Sequence, residues 1–172
     1  LFVAGPGSVD LWVQSSAADT DIQVTLSEVR PDGLEMYVQS GYLRASHRAL
    51  DPTRSTVTRP YQTHLEADAA PLPAGEFTPL RVELYSVAHV FRRGSRLRLS
   101  IEAPGGDRVA WAFDTPPTGR MVVNGIARGG TGASRVVLSV VPNTSDTPAD
   151  LPPCPSLRGQ PCRTYAPAVN GG

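Results

Sequence analysis

Apolar and polar residues alternate along most of this chain. Val9, Leu11 and Val13 alternate with Asp10, Trp12 and Gln14, and Ile22, Val24 and Leu26 alternate with Gln23, Thr25 and Ser27. The same period of two recurs at Leu80–Leu84, Leu97–Ile101, Val109–Phe113 and Val136–Val140. Successive side chains of an extended chain point to opposite faces, so each run predicts a strand with one dry face and one wet face. Met36 and Val38 follow Arg30-Pro31-Asp32-Gly33, where Pro presets φ and Gly accepts a positive φ, which predicts a hairpin turn. Short strands separated by turns predict an all-β, antiparallel sandwich. No segment sustains a helical period, and Ala45–Leu50 offers one short turn at most.

Two segments break the pattern. Residues 51–79 are interrupted by Pro52, Pro60, Pro71, Pro73 and Pro79. A connection of this length either crosses from one sheet to the other or packs on a neighbouring domain. Residues 142–172 are Pro-rich and poor in large apolar groups, so the expected division is a sandwich over 1–141 and an extended tail over 142–172.

Composition narrows the function more by exclusion than by assignment. The chain has 172 residues with a formal net charge of zero. That balance argues against nucleic acid and anionic membranes as partners, which reward a basic excess, and leaves a homo-oligomer open. No apolar run approaches the roughly 20 residues of a membrane-spanning helix. All basic residues are Arg, so chemistry that needs a lysine amine is absent. The chain opens on Leu1-Phe2-Val3 without an initiator Met, as a piece of a longer protein would.

Catalytic motifs were sought by type. A serine nucleophile on a strained turn is usually written G-x-S-x-G, and Gly132-Ala133-Ser134-Arg135-Val136 lacks the final Gly. Arg128-Gly129-Gly130-Thr131-Gly132 opens no helix and fails as a phosphate loop. His47, His64 and His89 have no partner at metal-ligand spacing, so neither metal nor cofactor is expected. Arg96 and Arg98 share the wet face of one predicted strand. They read either as solvated or as an ion-paired seam against an acidic partner. Trp12 is out of phase with its apolar neighbours and would face solvent as a sugar-stacking platform or lie against another domain. Cys154 and Cys162 sit close together in Pro-rich sequence, where a local disulfide is expected over two reduced thiols. Such a bridge would stabilise the tail by about 2–3 kcal/mol and would point to a secreted or extracytoplasmic protein.

Three blocks together resemble a known family. They are Val9-Asp10-Leu11-Trp12-Val13 with Asp19-Thr20-Asp21 and Val24 to Gly33, then Gly41-Tyr42-Leu43-Arg44-Ala45-Ser46-His47-Arg48, then Ala88-His89-Val90-Phe91-Arg92-Arg93-Gly94-Ser95-Arg96-Leu97-Arg98-Leu99. In order and spacing they are similar to the C-terminal, non-catalytic domain of the X-Pro dipeptidyl-peptidase and cocaine esterase-like (CocE/NonD) serine hydrolases. The resemblance implies a jelly-roll β-sandwich of the galactose-binding-like type. It also implies a partner, the α/β-hydrolase catalytic domain of the same polypeptide, which carries the catalytic triad. No catalytic residue carries over to this chain. The accessory domain would stabilise its partner and wall one side of the cleft for a peptide or ester substrate. The face expected between domains is Arg44, His47, Arg48 and His64, with solvated loop polarity as the plainer alternative. The rival function is a free-standing carbohydrate-binding module working through Trp12 and Tyr42.

Overall fold

The computed structural model describes residues 1–105, 113, 119, 121–144, 150–154 and 160–167. Eight strands appear among them: β1 (Phe2–Ser15), β2 (Asp21–Val29), β3 (Leu34–Arg44), β4 (Thr78–Val90), β5 (Arg96–Glu102), β6 (Asn124–Ile126), β7 (Arg135–Val140) and β8 (Arg163–Thr164). Short 3-10 turns cover Ala45–His47, Glu66–Asp68 and Gly130–Gly132. The strand expected at Val109–Phe113 lies outside the described residues, apart from Phe113.

All strand pairs are antiparallel. In one sheet β1 is central, with β4 on one side and β6 and β7 end to end on the other. The second sheet runs β5-β2-β3-β8. Their inner faces form a β-sandwich core: Val9, Leu11, Val13, Leu80, Val82 and Leu84 from the first sheet meet Ile22, Val24, Leu26, Val38 and Leu43 from the second. Burial of each such side chain contributes about 1.5–3 kcal/mol. Residues 45–77 carry the chain from β3 in the second sheet to β4 in the first. On the way they cover the outer face of the first sheet. There Arg81 donates from Nη2 to the carbonyls of Thr56 (3.1 Å) and Val57 (2.6 Å) and from Nε to Asp10 Oδ1 (2.9 Å).

The strict alternation is interrupted in two places. A bulge between β1 and β4 sets Gly7 opposite Leu84 but Gly5 opposite Val87. Beyond it the inward residues become Val87 and His89 of β4 and Phe91 just after its end. A second bulge opposite Leu26/Ser27 brings Gln39 and Val38 of β3 both to buried positions. Between them the sheets close to contact. A Cβ on Gly41 of β3 would sit 1.8 Å from the carbonyl oxygen of Glu83 in β4. Only glycine permits that approach.

Two expectations about faces are corrected. β2 and β3 are not dry on one side only, since Gln23, Ser27 and Glu35 are buried as well. The tail lies over them: β8 pairs with Leu34 and Glu35. β5 departs the other way. Leu99 packs on the core, but Leu97 and Ile101 are 38% and 36% exposed. Arg98, expected to be solvated or turned toward a partner, instead donates to Glu35 Oε2 at 2.9 Å within the chain. The pattern reports alternation, not which strand ends at a sheet edge or what covers its other face.

Candidate functional site

The site is built at one pole of the sandwich, where β1 turns into β2 and β3 ends. Asp19 organises the junction. Its Oδ1 accepts from the N–H groups of Thr20 (2.9 Å) and Ser46 (2.8 Å), and its Oδ2 accepts from Ser46 Oγ (2.7 Å). Arg44, the last residue of β3, forks onto Asp21 at the start of β2, Nε to Oδ1 at 2.9 Å and Nη2 to Oδ2 at 2.8 Å. Arg48 turns the other way. Its Nη1 donates to the carbonyls of Ala45 (3.2 Å) and Ala70, and its Nη2 to that of Pro71 (3.3 Å). It thus ties the 3-10 turn to the returning loop.

Arg44, His47 and His64 line one cavity of about 250 Å³, with Ile22, Leu43 and Tyr42 as its apolar wall. The Tyr42 ring stacks on Phe113 at 5.2 Å, and the two histidine rings stand 6.3 Å apart. His64 has φ 52°, a left-handed backbone uncommon for a residue with a side chain. Non-glycine residues in that region persist where the surroundings hold them, often at functional sites. Sequence reasoning grouped these residues by irregularity of the loop; the chain reversal at β3 and the loop's return bring Arg44, His47 and His64 to one cavity, and leave Arg48 as a brace.

A larger groove of about 620 Å³ opens at the same pole, between Ser15–Ala18, Leu72 and Val123. Among the described residues no charged side chain lines it. Val123 on its wall is 60% exposed and Phe77, beside Gly125, is 45% exposed.

Trp12 stands elsewhere. It lies on the outer face of the first sheet, where a Cβ on Gly132 would come within 3.2 Å of its indole. Tyr42 pairs with Gln23 on the outer face of the second sheet. The two aromatics therefore occupy opposite sides of the sandwich and form no common platform.

One buried titratable pair escaped the sequence reading. His89 Nε2 lies 2.8 Å from Glu28 Oε2, and Glu28 Oε1 accepts the Arg92 N–H at 3.1 Å. The Phe91 ring meets the imidazole edge-on at 4.8 Å. Burial alone would raise the Glu28 carboxyl. The bonds from His89 and the Arg92 N–H outweigh it and hold the group at about 2. A histidine beside a carboxylate is two-thirds of a hydrolase triad, but both are at least nine-tenths buried at the opposite pole and structural in setting. Among the described residues no group of three His, Cys, Asp or Glu could hold a metal ion.

The profile described as the X-Pro dipeptidyl-peptidase C-terminal non-catalytic domain matches residues 1–137. This chain belongs to that family. Two crystal structures of a CocE/NonD family hydrolase from Staphylococcus aureus share its fold. One gives a TM-score of 0.66 at 23% identity over 81% of this chain. The other gives 0.66 at 21% identity over 80%. The chain spans 28% of the length of each of those structures. No curated protein matches the sequence at a significant level. The family is described as a non-catalytic domain. The disulfide expected in the tail is formed between Cys154 and Cys162. Among the described residues no helix is long and apolar enough to cross a membrane.

Proposed function

We propose that this chain is the accessory domain of a secreted α/β serine hydrolase acting on peptide or ester bonds. It packs on the catalytic domain of the same polypeptide, stabilises it and walls one side of its cleft. The observation that carries this reading is the match of a non-catalytic domain family over residues 1–137, in a sequence without a nucleophile motif. The pole carrying Arg44, His47 and His64 is the interdomain face. Pockets form preferentially where domains meet, and this pole combines a half-apolar cavity with a larger groove beside exposed Phe77 and Val123. Contiguous exposed apolar surface of this kind marks an interaction site. The Cys154–Cys162 bridge supports an oxidising compartment.

The direct test uses a fluorophosphonate probe, a chromogenic ester and an X-Pro amide on the isolated chain. No serine is labelled and neither substrate is turned over. Stoichiometric labelling of any serine overturns the assignment.

A further inference from the structure

Glu35 is 1% exposed, and the body of the sandwich already gives it two donors. Ser27 Oγ donates to Oε1 at 2.6 Å and Arg98 Nη1 to Oε2 at 2.9 Å. The third donor comes from the far end of the chain, Arg163 Nη2 to Oε1 at 2.9 Å. Burial would raise the Glu35 carboxyl, and these donors instead hold it below its ordinary range. The residues after Arg163 are bound in the same manner. Arg163 and Thr164 pair antiparallel with Glu35 and Leu34. Tyr165 N donates to Gly33 O at 3.0 Å. The Tyr165 ring lies 5.0 and 5.5 Å from the guanidinium groups of Arg96 and Arg98. Arg98 Nη1 also donates to Ala166 O at 2.9 Å.

Among the described residues none of the tail belongs to the hydrophobic core, and the family profile ends before it, at residue 137. The described tail therefore adds nothing to the core, and Arg163–Ala166 touch the body through main-chain bonds, one buried carboxylate and an arginine shelf. Those are the terms of a peptide added to a sheet edge: the ladder fixes direction and register, and side-chain sites two residues apart fix sequence.

We propose that the outer edge of β3 is a peptide-binding site that recognises an extended Arg-x-Tyr segment, and that Arg163–Tyr165 is its resident ligand in cis. Glu35 reads the arginine and the Arg96/Arg98 shelf reads the tyrosine. A planar guanidinium shares the carboxylate with Arg98 by direction, which a lysine ammonium does not reproduce. Attachment to the same chain gives the tail a high effective concentration, so the edge stays covered. When the tail is weakened, the same segment from a second copy takes its place.

The test keeps the full chain. The Arg163→Ala variant is compared with the unsubstituted chain by amide hydrogen exchange. Binding of a fluorescein-labelled synthetic peptide spanning Gln160–Pro167, with Cys162→Ser, is followed by anisotropy. In the variant the Tyr165 amide exchanges faster by roughly tenfold or more while Val24 is unchanged. The peptide binds the variant saturably and the unsubstituted chain at least about tenfold more weakly. A peptide carrying Arg163→Ala binds neither. A second variant, Tyr165→Ala, also accepts the peptide, whereas Glu35→Gln added to either variant removes binding. Unchanged exchange at Tyr165 in Arg163→Ala overturns the proposal, and so does a released tail that leaves no site for the peptide. Neither result bears on whether the chain serves a hydrolase.

Discussion

Single residues decide how closely the two sheets meet. Gly41 and Gly33 are both glycines in or beside β3, for different reasons. At Gly41 a methyl group would overlap the Glu83 carbonyl, so the sheets must separate to admit it. Gly41→Ala is expected to cost more than about 3 kcal/mol in urea unfolding, the range of severe core disruption. At Gly33, φ is +83° with nothing within 4 Å of an added Cβ. Gly33→Ala then costs only the left-handed backbone, about 1–2 kcal/mol. Similar losses for the two would mean that the close approach at Glu83 is absent. Glu28 adds a pH dependence. Its carboxyl falls from an ordinary 4.5 to about 2 in the fold. The folded value is the lower one, so its contribution is complete above about pH 4.5 and vanishes as pH falls toward 2. The shift corresponds to about 3 kcal/mol. Unfolding free energies measured from pH 6 to pH 3 should fall across that window, and Glu28→Gln should flatten the fall. The sequence displayed His89 within a recognisable block but gave no sign of Glu28 as its partner, 61 positions away.

Elements were legible where one face decides them. β1, β2 and β4 contain the runs whose period of two named their inward residues, and those residues form the core; in β7 Val136 and Leu138 pack against it while Val140 is exposed. β6 and β8 were not legible. They have three and two residues, too few to display a period, and they form because a neighbouring edge is there to receive them. β5 was read in the right phase and the wrong setting. Leu99→Asp places a charge against the core and is expected to unfold the domain, as its phase alone implies. Arg98→Asp, which a solvated face would tolerate, puts a carboxylate beside the buried Glu35 and leaves Tyr165 with a weaker shelf. A melting temperature several degrees below that of the unsubstituted chain is expected. A neutral result would return Arg98 to solvent.

At the scale of the molecule the sandwich has two unlike poles. One is closed by the tail, with Arg30 Nη1 on Pro152 O at 2.8 Å and Arg92 Nε on Asp150 O at 2.7 Å. The other carries the cavity of Arg44, His47 and His64 and the larger groove. An interdomain face at that second pole predicts a separation of effects in the complete hydrolase. His47→Ala and His64→Ala should raise KM or lower kcat while the isolated domain melts unchanged. If both variants leave KM and kcat untouched, these histidines are loop polarity and the face lies elsewhere. Arg44, His47 and His64 were grouped from an irregular, polar stretch, and they line one cavity. The roles of Arg44 as an Asp21 clasp and Arg48 as a loop brace were not legible.

The alternation of side chains determined the strands, their inward residues and the two-sheet class, because burial of one face is a local property of an extended chain. The ordered blocks determined the family. Tertiary structure alone decided which carboxylate meets which base, where two sheets touch at Gly41, and that the tail covers β3. Arg163 reaches Glu35 across 128 positions. Such pairs depend on strand order and register, and a period of two contains no information about which strand lies beside which.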